Sequence, residues 1–290
     1  MNTLEKQNEE HPDFQSLIKL IDDENEYIYE NVKDKFLSYG KDSMHFLKDY
    51  FDSDNPSVAE RSKEIYDIIN FNFLDKKLRD LSYKENFLEE AAFTIASHEY
   101  PELDYDNYKM ILDKMAIDLK AQIEAKYADF VTVYDKVKML NNYFFYEKVF
   151  KGNTRDFYEA DNSYLNRVID RRTGNPISLS LVYLLIAGRI GIKFSGINIP
   201  NHFIIKYKDD IDEFFIDVFN FGVIISKYEA LNFLKQFGIY EKDFDNLPFL
   251  QNAEEKDVVF RIFANLINVY ENEPNDKKVE QLKKLQSYFG

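Results

Sequence analysis

Three side chains in this 290-residue sequence are of types that together could carry out acyl transfer: Ser178, His202 and Asp217. A serine hydroxyl attacks a carbonyl only if a base takes its proton as the bond forms, and a histidine oriented by a carboxylate is suited to that task. Ser178 lies in GNPISLSLVYLLIAGRIGI, which begins at Gly174 and runs from a turn into a nearly continuous apolar stretch. The pattern predicts a buried helix with Asn175 at the N-cap, Pro176 at the first helical position and Ser178 at the third. His202 and Asp217 lie in HFIIKYKDDIDEFFIDVF, which reads as two strands around an acidic turn. With Asp209 and Asp210 at the centre of that turn, Lys206 faces Glu213, Ile204 faces Phe215, and His202 stands directly opposite Asp217. Each feature has two readings. Ser178 is a nucleophile or a first-turn residue whose hydroxyl bonds Asn175. The His–Asp pair is half of a catalytic triad or a structural hydrogen bond at a sheet edge.

The elements that must position these residues are mostly helical. Residues 1–13 read as a polar tail. From Phe14 to Leu81 the apolar residues recur at three- and four-residue steps, with a stop at Gly40, a restart at Asp42 or Ser43 and a further helix start at Pro56. Further helices are expected at 87–97, 108–123 and 130–150, and a short one near Leu165 with Asn162 as its cap. After Gly191 the texture changes to strands at 192–199, 202–219 and 222–226. Helices return at 228–237, 254–271 and 276–289. Helices and strands in separate runs argue for an α+β fold rather than a doubly wound sheet.

Composition removes several function classes. The net charge is −15, and no block of lysine and arginine offsets it, so phosphate backbones are repelled and nucleic acid is not an expected partner. There are no cysteines, which excludes disulfides, thiolate–zinc sites and thiol catalysis. The four histidines, at 11, 45, 98 and 202, have no metal-ligand spacing, so neither metal nor cofactor is expected. No signal peptide and no membrane-spanning run is read, and a cytoplasmic location is expected.

The helix hydroxyl, the strand histidine and the aspartate on the next strand follow one another in an order that resembles the transglutaminase-like superfamily. The segments NSYLNRVIDRRTGNPISLSLVYLLIAGRIGI (162–192), INIPNHFIIKY (197–207) and FIDVFNFG (215–222) resemble its SirB-type branch, and weaker likeness extends over 87–290. The resemblance implies a papain-like core, a buried helix plus a small antiparallel sheet, embedded in a mostly helical chain. It implies a helical, HEAT-like region at 1–85, the core at 86–228 and a TPR-like tail at 229–290. His202 matches the family's triad histidine, Asp217 its aspartate, and Ser178 stands where the superfamily carries cysteine. Asn162, Tyr164, Arg171, Asn175, Asn201 and Asn220 flank these positions as candidate binding residues, each with a plain capping, packing or turn role as the alternative. The expected function is a non-catalytic module that binds protein, peptide or another ligand; the alternative is a Ser-His-Asp hydrolase or acyl transferase acting on an amide or ester.

Overall fold

The computed structural model describes residues 14–127, 130–199, 202–235 and 251–290. The chain divides into two compact units, one reaching to Lys76 and one from Lys77 to Gly290. The expectations for the tail at 1–13, for Pro200 and Asn201, and for the end of the helix at 228–237 fall outside the described residues.

In the first unit, α1 (Phe14–Ile18), α2 (Glu26–Tyr39), α3 (Lys41–Lys48) and the start of α4 (Pro56–Leu81) bury one apolar stripe each. Ile21, Val32, Phe36, Leu47, Ile65 and Ile69 meet in a common core. Phe14 adds ring contacts to Phe36, Tyr39 and Phe46. The chain turns between α2 and α3 at Gly40, whose φ of 57° suits a residue without a side chain.

The second unit carries the candidate site. It contains α5 (Leu88–Ala96), α6 (Tyr105–Lys126), α7 (Val133–Asn141), β1 (Lys151–Gly152), α8 (Leu165–Arg171), β2 (Thr173–Gly174) and α9 (Pro176–Arg189). There follow β3 (Ser195–Ile199), β4 (His202–Lys208), β5 (Glu213–Asp217), β6 (Val223–Ile225), α10 (Lys227–Lys235), α11 (Glu255–Tyr270) and α12 (Asp276–Gln286). The class is α+β, as the segregated texture of the sequence predicts. Strands β3 to β6 form an antiparallel meander in chain order, while β1 and β2 make a short parallel pair. Helix α9 is apolar nearly all round, and it packs against β4, α6, α8 and α11, so it is the centre of the unit. A single π-turn, Asn142–Glu147, extends α7 and drives Phe144 and Phe145 against Tyr183 of α9. The buried Tyr183 hydroxyl donates to Asn141 Oδ1 at 2.8 Å, and Asn141 Nδ2 donates to the Gly222 carbonyl at 2.8 Å. These bonds fasten the sheet's far turn to the central helix.

The hairpin register differs from the expected one by two residues. Ile205 pairs with Ile216, Lys206 with Phe215 and Lys208 with Glu213. The cause is local: Asp209 Oδ1 accepts the N–H groups of Ile211 (2.8 Å) and Asp212 (2.7 Å), and this favours a four-residue loop, 209–212, over the tight turn assumed from Asp209-Asp210. A shift of two preserves faces because side chains alternate with period 2. Lys206 still reaches Glu213 at 3.0 Å, now along the diagonal.

Candidate functional site

Helix α9 begins with the expected cap. The Asn175 side chain accepts the Ser178 N–H at 3.0 Å, and Ser178 Oγ accepts the Asn175 N–H at 3.1 Å, forming a reciprocal capping box. Pro176 is at the first position, where a missing N–H costs nothing. A hydroxyl has one proton to give, and both acceptors in reach of Ser178 Oγ are backbone carbonyls, that of Asn162 at 2.5 Å and, farther off, that of Asn175 at 3.2 Å. Ser178 is 1% exposed, and no hydrogen bond joins it to His202. Gly174 is required here by space: a Cβ on it would lie 2.6 Å from Ser178 Oγ.

His202 and Asp217 do meet. His202 Nε2 and Asp217 Oδ2 are 2.8 Å apart, across the diagonal of the hairpin rather than directly opposite. Asp217 also accepts the backbone N–H of Asn220 at 3.1 Å and its Nδ2 at 2.7 Å, so the carboxylate closes the turn that leads to β6. Burial would raise the Asp217 carboxyl; the hydrogen bonds from His202 and Asn220 outweigh it and hold the group below the ordinary carboxylate range. His202 stands edge-on to Phe219 at 6.3 Å, and Phe219 in turn meets Phe157 at 6.1 Å.

The other candidates are spread around this centre. Asn162 does not cap α8: it ends a short 3-10 turn, Ala160–Asn162, and Tyr164 takes the cap position without a side-chain bond. The Asn162 amide is instead spent on the preceding loop. It donates to the carbonyls of Asp156 (2.7 Å) and Phe157 (3.2 Å) and accepts from Asn153 Nδ2 at 3.0 Å. Tyr164 is fully buried, its hydroxyl 3.1 Å from that of Tyr270. Arg171 binds Glu159 at 2.5 Å and Asp161 at 3.2 Å. Asn220 belongs to the Asp217 turn, and Asn201 lies outside the described residues.

A cleft of 680 Å³ opens beside the start of α9. Its walls are Phe157, Tyr158, Glu159, Ser163, Asn175, Pro176, Ile177 and Phe203 on one side, and Arg261, Ala264, Asn265, Asn268 and Val269 of α11 on the other. Of the sequence candidates among the described residues, Asn175 alone lines it; Ser178, His202 and Asp217 do not. Sequence reasoning missed the α11 wall, although its signal was present: polar residues at three- and four-residue steps along an otherwise apolar helix. Among the described residues no cluster of three or more His, Asp or Glu could hold a metal ion, and no helix is long and apolar enough to cross a membrane.

The model of the transglutaminase-like superfamily matches residues 106–264, more than half of the chain; the match includes Ser178, His202 and Asp217 and ends before Asn265, Asn268 and Val269 of the cleft. The chain belongs to the transglutaminase-like superfamily. Among relatives, a UPF0162 protein of Xylella fastidiosa (strain 9a5c) is 31% identical over 188 residues, 64% of this chain and 65% of that protein. The human F-box only protein 21 is 32% identical over 148 residues, 49% of this chain but 23% of its own length. A Vibrio cholerae UPF0162 protein is 27% identical over 86 residues, 29% of this chain and 32% of that protein. The chain therefore spans just under two thirds of the Xylella relative and under a quarter of the human one. No solved structure matches. In this superfamily member, the helix–strand–strand order that carried the resemblance corresponds to α9, β4 and β5.

Proposed function

We propose that this chain is a transglutaminase-like protein that has given up acyl transfer and serves as a non-catalytic module for binding protein, peptide or another ligand. The observation that carries this reading is the Ser178 hydroxyl. Both acceptors in its reach are backbone carbonyls at a buried capping box, and there is no cysteine anywhere in the chain to replace it. A helix N-terminus can stabilise a thiolate because a thiol ionises near neutrality; it cannot usefully ionise an alcohol, which needs a base in contact. In this reading His202 and Asp217 are a retained structural pair that closes the β5–β6 turn. The helices at 1–85 and the tail at 229–290 supply further faces for partners, in the cytoplasm.

The competing hydrolase reading draws on the 2.8 Å His202–Asp217 contact, which is the geometry of an oriented base. Two measurements separate the readings. A serine-reactive fluorophosphonate should leave the folded protein unlabelled; time-dependent labelling lost in Ser178→Ala but kept in Ser180→Ala would establish the hydrolase. The absence of native cysteine makes the second probe clean. Ser178→Cys should react with iodoacetamide at least about 100-fold more slowly than Tyr146→Cys, because position 178 is buried and position 146 is 73% exposed. Fast alkylation at 178 would show that the site opens.

A further inference from the structure

Helix α11 presents two faces. Val259, Ile262, Phe263, Leu266 and Tyr270 are buried in the core, while Arg261, Asn265 and Asn268 line the cleft together with Ala264 and Val269. The guanidinium of Arg261 makes one hydrogen bond, from Nη1 to the Ile199 carbonyl at 3.0 Å. Among the described residues no carboxylate pairs with it, and its remaining N–H donors have no acceptor. Three other partly buried arginines of the second unit are paired: Arg167 holds Asp161, Arg171 holds Glu159, and Arg189 holds both Glu89 and Asp113. Glu159 lines the cleft but is already neutralised by Arg171. Burial with no counter-charge pushes the Arg261 guanidinium below its ordinary value. The side-chain amides of Asn265 and Asn268 likewise have no partner among the described residues. Across the cleft, Ile177 at the start of α9 lines the wall, and its N–H has no acceptor among the described residues.

We propose that this cleft seats a carboxylate at Arg261, with the Asn265 and Asn268 amides as neutral donors, and that the apolar body attached to it packs on Phe157, Tyr158, Ile177 and Phe203. The proposal rests on the binding reading above and gives it a ligand class. One uncompensated cation matches one negative charge, and a net charge of −15 opposes more highly charged anions. A planar guanidinium suits a planar carboxylate in a two-point contact. A cleft of 680 Å³ takes a body of about one to three residues, within the ordinary range for small-ligand sites. Two sources share this chemistry, a free aromatic acid and the C-terminal residue of a peptide.

The test is an NMR titration of the full chain with phenylacetate, with N-acetyl-leucyl-phenylalanine, and with phenylacetamide as the uncharged control. Both acids should shift the Arg261 Nε–Hε and the Asn265 and Asn268 side-chain amides saturably, and phenylacetamide should bind at least about tenfold more weakly. Tighter binding of the dipeptide assigns the seat to a peptide C-terminus; tighter binding of phenylacetate assigns it to a free acid. Arg261→Gln should weaken both acids by at least about tenfold. Asn265→Asp provides a variant that keeps Arg261 and its bond to Ile199: the new carboxylate, one helical turn away, should pair with the guanidinium and block both acids. No shift at about 20 mM acid, or tighter binding of phenylphosphonate than of either carboxylate, would overturn the proposal. Fluorophosphonate labelling of Ser178 alongside saturable acid binding would remove the non-catalytic reading and leave the seat as a substrate subsite. Neither labelling nor binding would remove the seat and leave that reading standing.

Discussion

Replacing Asp217 with alanine should lower the stability of the second unit by about 3–5 kcal/mol, the largest effect expected of any single change at the site. The carboxylate is 7% exposed and collects His202 Nε2, the Asn220 N–H and Asn220 Nδ2. Alanine leaves the donor of the half-buried His202 ring and two donors of the exposed Asn220 without their acceptor, and an unsatisfied buried donor costs more than the bond it once made was worth. Urea denaturation followed by circular dichroism would measure the loss, with an unchanged m-value showing that the same surface unfolds. A loss below about 1 kcal/mol would mean that the pair is not structural and would return weight to the catalytic reading. The pH dependence gives an independent check. Asp217 has a folded pKa below its unfolded value of about 3.9, so the unfolded state takes up its proton first as pH falls. Its contribution is complete above the unfolded value and is lost as pH drops through the folded one. The parent should therefore lose more stability than Asp217→Asn on acidification below about pH 4. Equal losses would show that the carboxylate is not preferentially stabilised in the fold.

Asn162→Ala is expected to cost about 2–4 kcal/mol and to weaken ligand binding in the cleft as well. The side chain is 1% exposed and satisfies the carbonyls of Asp156 and Phe157 and the amide of Asn153. Its backbone carbonyl accepts from Ser178 Oγ, so this one residue ties the 153–157 loop to the start of α9. Without the amide, Phe157 loses its anchor, and with it one apolar wall of the cleft. Hydrogen exchange should show faster opening at 153–159 while α2 and α3 are unchanged, since they lie in the first unit. Uniform loss of protection over the second unit, with cleft binding kept in the folded fraction, would assign Asn162 to general packing instead.

Much of the site was legible because the rules that make it are short-ranged. The N-cap at Asn175, the proline after it and the serine at the third position form one turn of chain, and residue type alone decides them. The pairing of His202 with Asp217 survived a mistaken register because the error was two residues, which leaves every side chain on the same face of the sheet. The register itself was misjudged because Asp209 uses its side chain to hold a four-residue loop, a choice a count of turn residues does not reveal. Asn162 was misplaced as a cap for the same kind of reason: an asparagine before an apolar run fits a helix start equally well whether its amide turns forward or, as here, back to the 156–157 carbonyls.

The sequence by itself determined the α+β class, the buried central helix and its capped start, the absence of a thiol, and the shared face of His202 and Asp217. Each follows from periodicity, capping or composition, which act over a few residues. Only the tertiary structure decided what those groups do. The nearer acceptor of Ser178 Oγ is a carbonyl 16 residues away, and Arg261 reaches a strand carbonyl 62 residues away. A hydroxyl or guanidinium carries the same donors in every fold. The acceptor that lies within about 3 Å of it is fixed by how distant elements pack. That packing placed Ser178 in a buried capping box and set a half-buried cation at the wall of a cleft.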